Sequence, residues 1–179
     1  MTRRPDRLFL CGFSGSGKTE TGRYLAQMLG WTFLDTDEAV EKKTSKTIPA
    51  VFAEEGEDHF RMIEFEVIQD AVNQAPAVIA LGGGALVAAL NRRLIQGKGM
   101  VIFLHASPGV LCERLKKSPD RPLLGPSNDN MNDANLLQRV NLLLETRSRQ
   151  YTEADLTVAT DGKTPYQVAQ EIAARLCRA

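Results

Sequence analysis

The sequence predicts an α/β fold, a three-layer α/β/α arrangement around a five-stranded parallel sheet. Short runs rich in β-branched and aliphatic residues alternate with longer segments whose apolar residues recur at three- and four-residue steps. That alternation implies βαβ units with helices on both faces of the sheet. A glycine-rich loop joins the first apolar run to the first helical segment, at the edge where open parallel sheets bind ligands.

The elements follow in order. "RLFLCG" (7–12) reads as a buried strand, and the glycine-rich loop after it leads into a helix over Lys18–Leu29. "WTFLD" (31–35) is a second strand. Thr47 ahead of "IPAVFAEEG" has the chemistry of an N-cap, with Pro49 in the first turn. In the long helical region beyond it, Phe60, Ile63, Val67 and Ala71 form the core stripe, while Arg61 and Glu64 share another face. "AVIALGGG" (77–84) and "MVIFLHA" (100–106) are the third and fourth strands, and "ADLTVAT" (154–160) is a weaker fifth. Leu136, Leu137, Val140, Leu143 and Leu144 mark one late helix; Val168, Ile172 and Leu176 mark the last. Ahead of both, "SPDRPLLGPSNDNMND" (118–133) carries three prolines and is too long for an idle connection. A mobile lid is expected there, over about 117–131. Neither a repeat nor a linker divides the chain, so residues 1–179 are expected to form one domain, with a substrate-binding region over about 35–75.

The 179 residues suffice for a proper core, and 43% apolar with 25% charged residues is a globular composition. A formal net charge of zero gives no global field towards nucleic acid or an anionic membrane. Nothing approaches the roughly 20 apolar residues that span a bilayer, and the start has no secretory signal, so the expected location is cytoplasmic. Arg3, Arg4 and Arg7, interrupted by Asp6, read as a solvated, frayed end. Cys11, Cys112 and Cys177 lack a CxxC spacing and read as small buried side chains in a reducing compartment. Their spacing to His59 and His105 is wrong for a metal site. Glu41, Lys42, Lys43 and Lys46 read as a solvated helix face.

The chemistry begins at "GFSGSGKT" (12–19), a full match to G-x-x-x-x-G-K-[ST] between a strand and a helix. Gly12, Gly15 and Gly17 let the backbone curl so that successive N–H groups point inward, and the helix N-terminus adds partial positive charge. Lys18 suits the β- and γ-phosphates, and the Thr19 hydroxyl suits Mg²⁺. With Ser16 and Glu20, this makes residues 15–20 the expected nucleotide contacts. The pattern implies a nucleoside triphosphate and leaves the acceptor open.

"FLDTDEAVEK" (33–42) follows, with Asp35 and Asp37 two residues apart at the end of the second strand and on the same side of it. Both then face the crevice of the cradle. Mg²⁺ held mainly by phosphates and water needs only one of them, leaving the other for an acceptor hydroxyl. Asp35 with Glu38 also fits a capping box.

"GFSGSGKTETGRYLA", "LDTD", "FRMIE", "LGGGA", "RPLL" and "RSRQY", in this order and spacing, resemble the shikimate kinases, P-loop kinases of the nucleoside monophosphate kinase-like fold. The resemblance covers essentially the whole chain. It implies that Asp35 holds the Mg²⁺ hydration shell, Asp37 binds shikimate hydroxyls, and Arg61 and Arg147 hold the substrate carboxylate. It also implies that Gly82, Gly83 and Gly84 approach the substrate ring. Arg121 would reach the transferring phosphoryl group from the lid, and Arg114 would stack near the adenine. Arginine's planar fork suits a carboxylate, and Glu64 is placed to orient Arg61. Arg149 stands where many relatives have proline and offers a second arginine, but the spacing to Tyr151 selects Arg147.

The expected reaction is transfer of the γ-phosphoryl of ATP to shikimate, a step of aromatic amino-acid biosynthesis, catalysed by Lys18, Asp37 and Arg121 with Mg²⁺. A monomer without nucleic-acid or membrane partners is expected. Another small-molecule P-loop kinase, such as a gluconate kinase, competes for this reading. So does a non-catalytic sensor on the same fold, although it would have no need of Lys18, Thr19 and Asp37 together.

Overall fold

The computed structural model describes residues 5–117 and 133–177. Five strands, β1 (Arg7–Cys11), β2 (Thr32–Asp35), β3 (Ala77–Ala80), β4 (Met100–His105) and β5 (Leu156–Ala159), form one sheet in the order β2-β3-β1-β4-β5. Every pairing is parallel. The helices are α1 (Lys18–Leu29), α2 (Thr36–Thr44), α3 (Ile48–Glu54), α4 (Gly56–Ala71), α5 (Ala89–Ile95), α6 (Pro108–Lys116), α7 (Asp133–Thr152) and α8 (Pro165–Leu176), with a 3-10 turn at Ala85–Val87. The expected fold class is borne out.

The three layers follow from the two-residue period of the central strands. Phe9 and Cys11 of β1 and Ile79 of β3 pack with Ile68 and Ala71 of α4 and Tyr151 of α7. Their neighbours Leu8, Leu10 and Val78 point the other way, onto Leu25 of α1 and Val168, Ala169 and Ile172 of α8. A strand buried on both faces must be apolar at every position, as "LFLC" is, and each large aliphatic residue so buried stabilises the fold by about 1.5–3 kcal/mol. Helix α8 is fixed at its start by a reciprocal capping box between Thr164 and Gln167.

Because all strands run one way, their carboxyl ends share one edge, from which the glycine-rich loop, the start of α2 and the triple glycine all emerge. Two smaller apolar clusters support this edge. Phe13, Leu111, Leu136 and Val140 join the glycine-rich loop to α6 and α7. Val40, Val51, Phe60 and Val67 join α2, α3 and α4.

Several local expectations are corrected. Strand β2 stops at Asp35, so Asp37 stands in the first turn of α2 and not on the strand. The cause is Asp35 itself, whose Oδ1 accepts from the amides of Asp37 (2.9 Å) and Glu38 (3.3 Å) and turns the chain directly into a helix. Strand β3 stops at Ala80, leaving the three glycines outside it. Arg7 is anchored, donating to the carbonyls of Gln74 and Lys98, while Arg3 and Arg4 lie outside the described residues. Cys11 and Cys112 are buried, but Cys177 is exposed at the end of α8. Glu41 is not merely solvated: it accepts from the amide of Ile48 (3.0 Å) and ties α2 to the start of α3. Lys43 and Lys46 are paired with Glu66 and with Glu54 and Glu55. The expected lid, about 117–131, lies outside the described residues except for Lys117, and Arg121 lies outside with it. Among the described residues, no helix is long and apolar enough to cross a membrane.

Candidate active site

The loop between β1 and α1 has the form of an anion cradle. Gly15 (φ 87°) and Gly17 (φ 91°) adopt left-handed backbone that other residues reach only with strain. No side chain caps the start of α1, where the helix dipole adds partial positive charge. Lys18, only 9% exposed, donates from Nζ to the carbonyls of Gly12 (3.0 Å) and Phe13 (3.1 Å), which folds its ammonium back along the loop. The Ser16 hydroxyl is buried in the same loop without a hydrogen-bond partner among the described residues.

Next to the cradle the Thr19 hydroxyl donates to Asp35 Oδ2 at 2.7 Å. Asp35 therefore does two things at once, capping α2 with one oxygen and facing the P-loop with the other. No cluster of three metal-ligating His, Cys, Asp or Glu residues occurs among the described residues. A hydroxyl beside one carboxylate is a hard-oxygen pair that fits magnesium, a cation that takes its other ligands from phosphate and water.

A cleft of about 240 Å³ opens beside the cradle, and Lys18, Thr19, Asp35, Asp37, Arg61 and Gly83 all line it. Gly84 lines it as well, and Gly82 lies beside it. The Gly82 amide donates to the Thr36 hydroxyl (2.8 Å), which fixes the loop to the start of α2. A Cβ on Gly82 would stand 2.5 Å from Asp37 Oδ1 and 3.2 Å from Glu64 Oε1, and one on Gly84 would stand 3.1 Å from Arg61 Nη2. These glycines exist because charged side chains occupy the space a methyl group would need. Gly82→Ala should therefore displace the Asp37 carboxylate and lower kcat/KM for the acceptor by about a hundredfold, with KM for ATP little changed. Steady-state kinetics on both substrates check this.

Arg61 is held from two sides, donating from Nη1 to Glu64 (2.9 Å) and from Nη2 to Glu57 (3.1 Å). Glu64 is 1% exposed, and burial pushes its carboxyl above the usual range while Arg61 and Asn91 oppose the shift. Arg147, buried on α7, donates to the Gly83 carbonyl (3.0 Å) and stacks over the Phe13 ring at 5.4 Å. Tyr151 donates to the same carbonyl (3.2 Å) while its ring stacks on Phe103. Burial raises the Tyr151 hydroxyl to about 12, so it stays a donor throughout the neutral range. Arg149 is exposed. Arg114 donates to the Gly15 carbonyl and to both oxygens of Thr160, bracing the P-loop against the end of β5.

The structure thus brings Lys18, Thr19, Asp35, Asp37, Arg61, Gly83 and Gly84 to one cleft, with Gly82 packed on Asp37 and Arg147 bonded to Gly83. Sequence reasoning missed Ser14, Pro49 and Phe52, which line the cleft, and it took Phe60 only for core. It also missed Asn91, buried against Glu64. Ser14 sits inside the glycine-rich motif, whereas Pro49, Phe52, Phe60 and Asn91 carry no local signal, because each comes to the cleft or to Glu64 from an element whose placement the sequence does not show.

The comparisons agree with this geometry. The family model for shikimate kinase matches residues 14–177. A shikimate kinase of Chlorobium phaeobacteroides (strain BS1) is 38% identical over 177 residues, covering 98% of this chain and 89% of that protein. The structure of a shikimate kinase from Acinetobacter baumannii in complex with shikimate superposes with a TM-score of 0.89 at 34% identity, covering 97% of this chain and 94% of the other. The enzyme from Aquifex aeolicus gives 0.78 at 34% identity, covering 95% of each chain. A gluconokinase from Sinorhizobium meliloti 1021 reaches 0.63 at 22% identity, a likeness of fold alone. With a phosphate cradle, a paired arginine and a triple glycine around one cleft, and with this extent of likeness, the chain belongs to the shikimate kinase family.

Proposed function

We propose that the chain transfers the γ-phosphoryl group of ATP to a ring hydroxyl of shikimate, giving shikimate 3-phosphate and ADP, with the roles divided among the residues of the cleft. The observation that carries this is the common lining: Lys18 and Thr19 of the cradle share one cleft with Asp37, Arg61, Gly83 and Gly84. The family carries the use of ATP. The loop amides of residues 15–20 and Lys18 would bind and neutralise the phosphates, with Arg114 towards the adenine end. Thr19 and Asp35 would hold magnesium, which supplies further charge neutralisation on the phosphoryl oxygens.

Asp37 would accept the hydrogen bond of the attacking hydroxyl, orient it and receive its proton as transfer completes. Arg61 and Arg147 would hold the substrate carboxylate, and the close glycine backbone would shape the floor beneath the ring. Arg121 enters on the resemblance alone. Since transfer passes through a loose transition state, most of the rate enhancement would come from positioning and electrostatics. Three free thiols support a reducing compartment such as the cytoplasm.

The test is ADP release from Mg·ATP, followed by a coupled assay with shikimate, gluconate, CMP or no acceptor. Release with shikimate alone is expected. Release with gluconate would keep the cradle and overturn the substrate, and no release with any acceptor would favour a sensor.

A further inference from the structure

Glu64 is a buried carboxylate that the reaction itself does not use, and two donors hold it. Arg61 Nη1 lies 2.9 Å from Oε2, and Asn91 Nδ2 lies 3.3 Å from the same oxygen. Asn91 is itself 1% exposed and reaches Glu64 across 27 residues of sequence, from helix α5. The same Nδ2 donates to the Ala85 carbonyl at 3.0 Å, so both of its protons are engaged and the amide group cannot turn away. Its Oδ1 is buried without a hydrogen-bond partner among the described residues. Burying an amide with one unsatisfied end is unfavourable, and the retained contacts are the two that Nδ2 makes.

We infer that Asn91 is a positioning residue for shikimate binding: it keeps Glu64 ionised so that Glu64 can hold the Arg61 guanidinium in the orientation that receives the substrate carboxylate. This rests on the functional reading above. A neutral donor suits the task. A second cation beside Glu64 would compete for the substrate carboxylate, while no donor at all would leave the buried Glu64 dependent on Arg61 alone. The other charged groups around Glu64 are Glu57, one turn before Arg61 on α4, and Asp37 at the start of α2, across Gly82. Glu57 opposes its ionisation, so the donors on Glu64, Arg61 and Asn91, act against both burial and a like charge. A protonated Glu64 releases Arg61 to the exposed Glu57, and shikimate then binds more weakly.

The sign of the pH effect follows. Ionised Glu64 is the competent form, so kcat/KM for shikimate falls on the acid side as Glu64 takes up a proton. Removing a donor raises the carboxyl further and moves that limb to higher pH. In Asn91→Leu the limb should move up by about one pH unit, and in the isosteric Asn91→Asp by more, since a second carboxylate then faces the first. At pH values below the wild-type limb Asn91→Leu should show KM for shikimate raised by up to about tenfold and Asn91→Asp by more, with kcat and KM for ATP within about twofold of wild type.

The experiment is the pH profile of kcat/KM for shikimate and, separately, for ATP, with thermal melting of each variant. A limb that moves only in the shikimate profile supports the inference. An unmoved limb in a folded variant, or equal loss in both profiles, overturns it and leaves Asn91 a packing residue. If Asn91→Leu does not fold, Asn91→Asp carries the same test, because it preserves volume. Wild-type enzyme that fails to phosphorylate shikimate sinks the functional reading and this inference with it, whereas normal wild-type turnover isolates the role of Asn91.

Discussion

Asp37→Asn should lower turnover with shikimate by about a hundredfold to ten-thousandfold, the range expected when a positioned general base is lost. KM for ATP should stay within about threefold, because the proposed phosphate contacts lie on the glycine-rich loop and α1 rather than on α2. The substitution is a clean probe for a structural reason. Asp35 caps α2, not Asp37, so the helix start survives the change, and asparagine has the same volume beside Gly82. An amide can still accept one hydrogen bond from the hydroxyl, so shikimate binding should weaken less than kcat falls. Steady-state kinetics together with calorimetric titration of shikimate separate the two quantities. Unchanged turnover would remove Asp37 from the mechanism and leave orientation by the arginines and glycines as the whole contribution of this wall.

Lys18→Ala should be comparably severe, about a hundredfold to a thousandfold in kcat, as for other losses of a preorganised charge facing the developing transition state. Here the defect should appear with every acceptor and in nucleotide affinity as well. In the structure the Lys18 ammonium lies along the loop, bonded to the carbonyls of Gly12 and Phe13. Truncation leaves those carbonyls without that donor, so a melting curve must accompany the kinetics. A folded Lys18→Ala protein that releases ADP from ATP and shikimate at the wild-type rate would overturn the cradle assignment. The two variants together distinguish the walls of the cleft: one fails in the acceptor, the other in the donor.

Much of this was legible in the linear sequence, and for physical reasons. Helix α1 runs over Lys18–Leu29 as its pattern indicates, because Gly17 before it and the left-handed Gly30 after it are local signals. Strands β1, β3 and β4 announce themselves because a strand covered on both faces must be apolar throughout. The P-loop is readable because its function depends on backbone curvature that only glycine supplies cheaply.

The acidic pair shows the limit. The spacing of Asp35 and Asp37 fits strand geometry, yet a side-chain cap ends the strand at Asp35, so the two carboxylates belong to different elements. Which one faces Thr19 is a matter of how α1 lies against β2. The choice between Arg147 and Arg149 is decided in the same way. Leu136, Val140, Arg147 and Tyr151 are the buried residues of α7, whereas Arg149, two residues or about 200° further round, faces solvent.

By itself, then, the sequence determined what local chemistry encodes: the strands and most helices, the triphosphate cradle, and a set of arginines, aspartates and glycines resembling a shikimate kinase. Only the tertiary structure decided the strand order β2-β3-β1-β4-β5, the double duty of Asp35, the bond from Arg147 to Gly83, and the buried contact of Glu64 with Asn91. The physical reason is range. Caps, turns and periodicity act over a few residues, whereas the cleft is assembled from groups tens of residues apart whose meeting depends on how whole helices pack on the sheet.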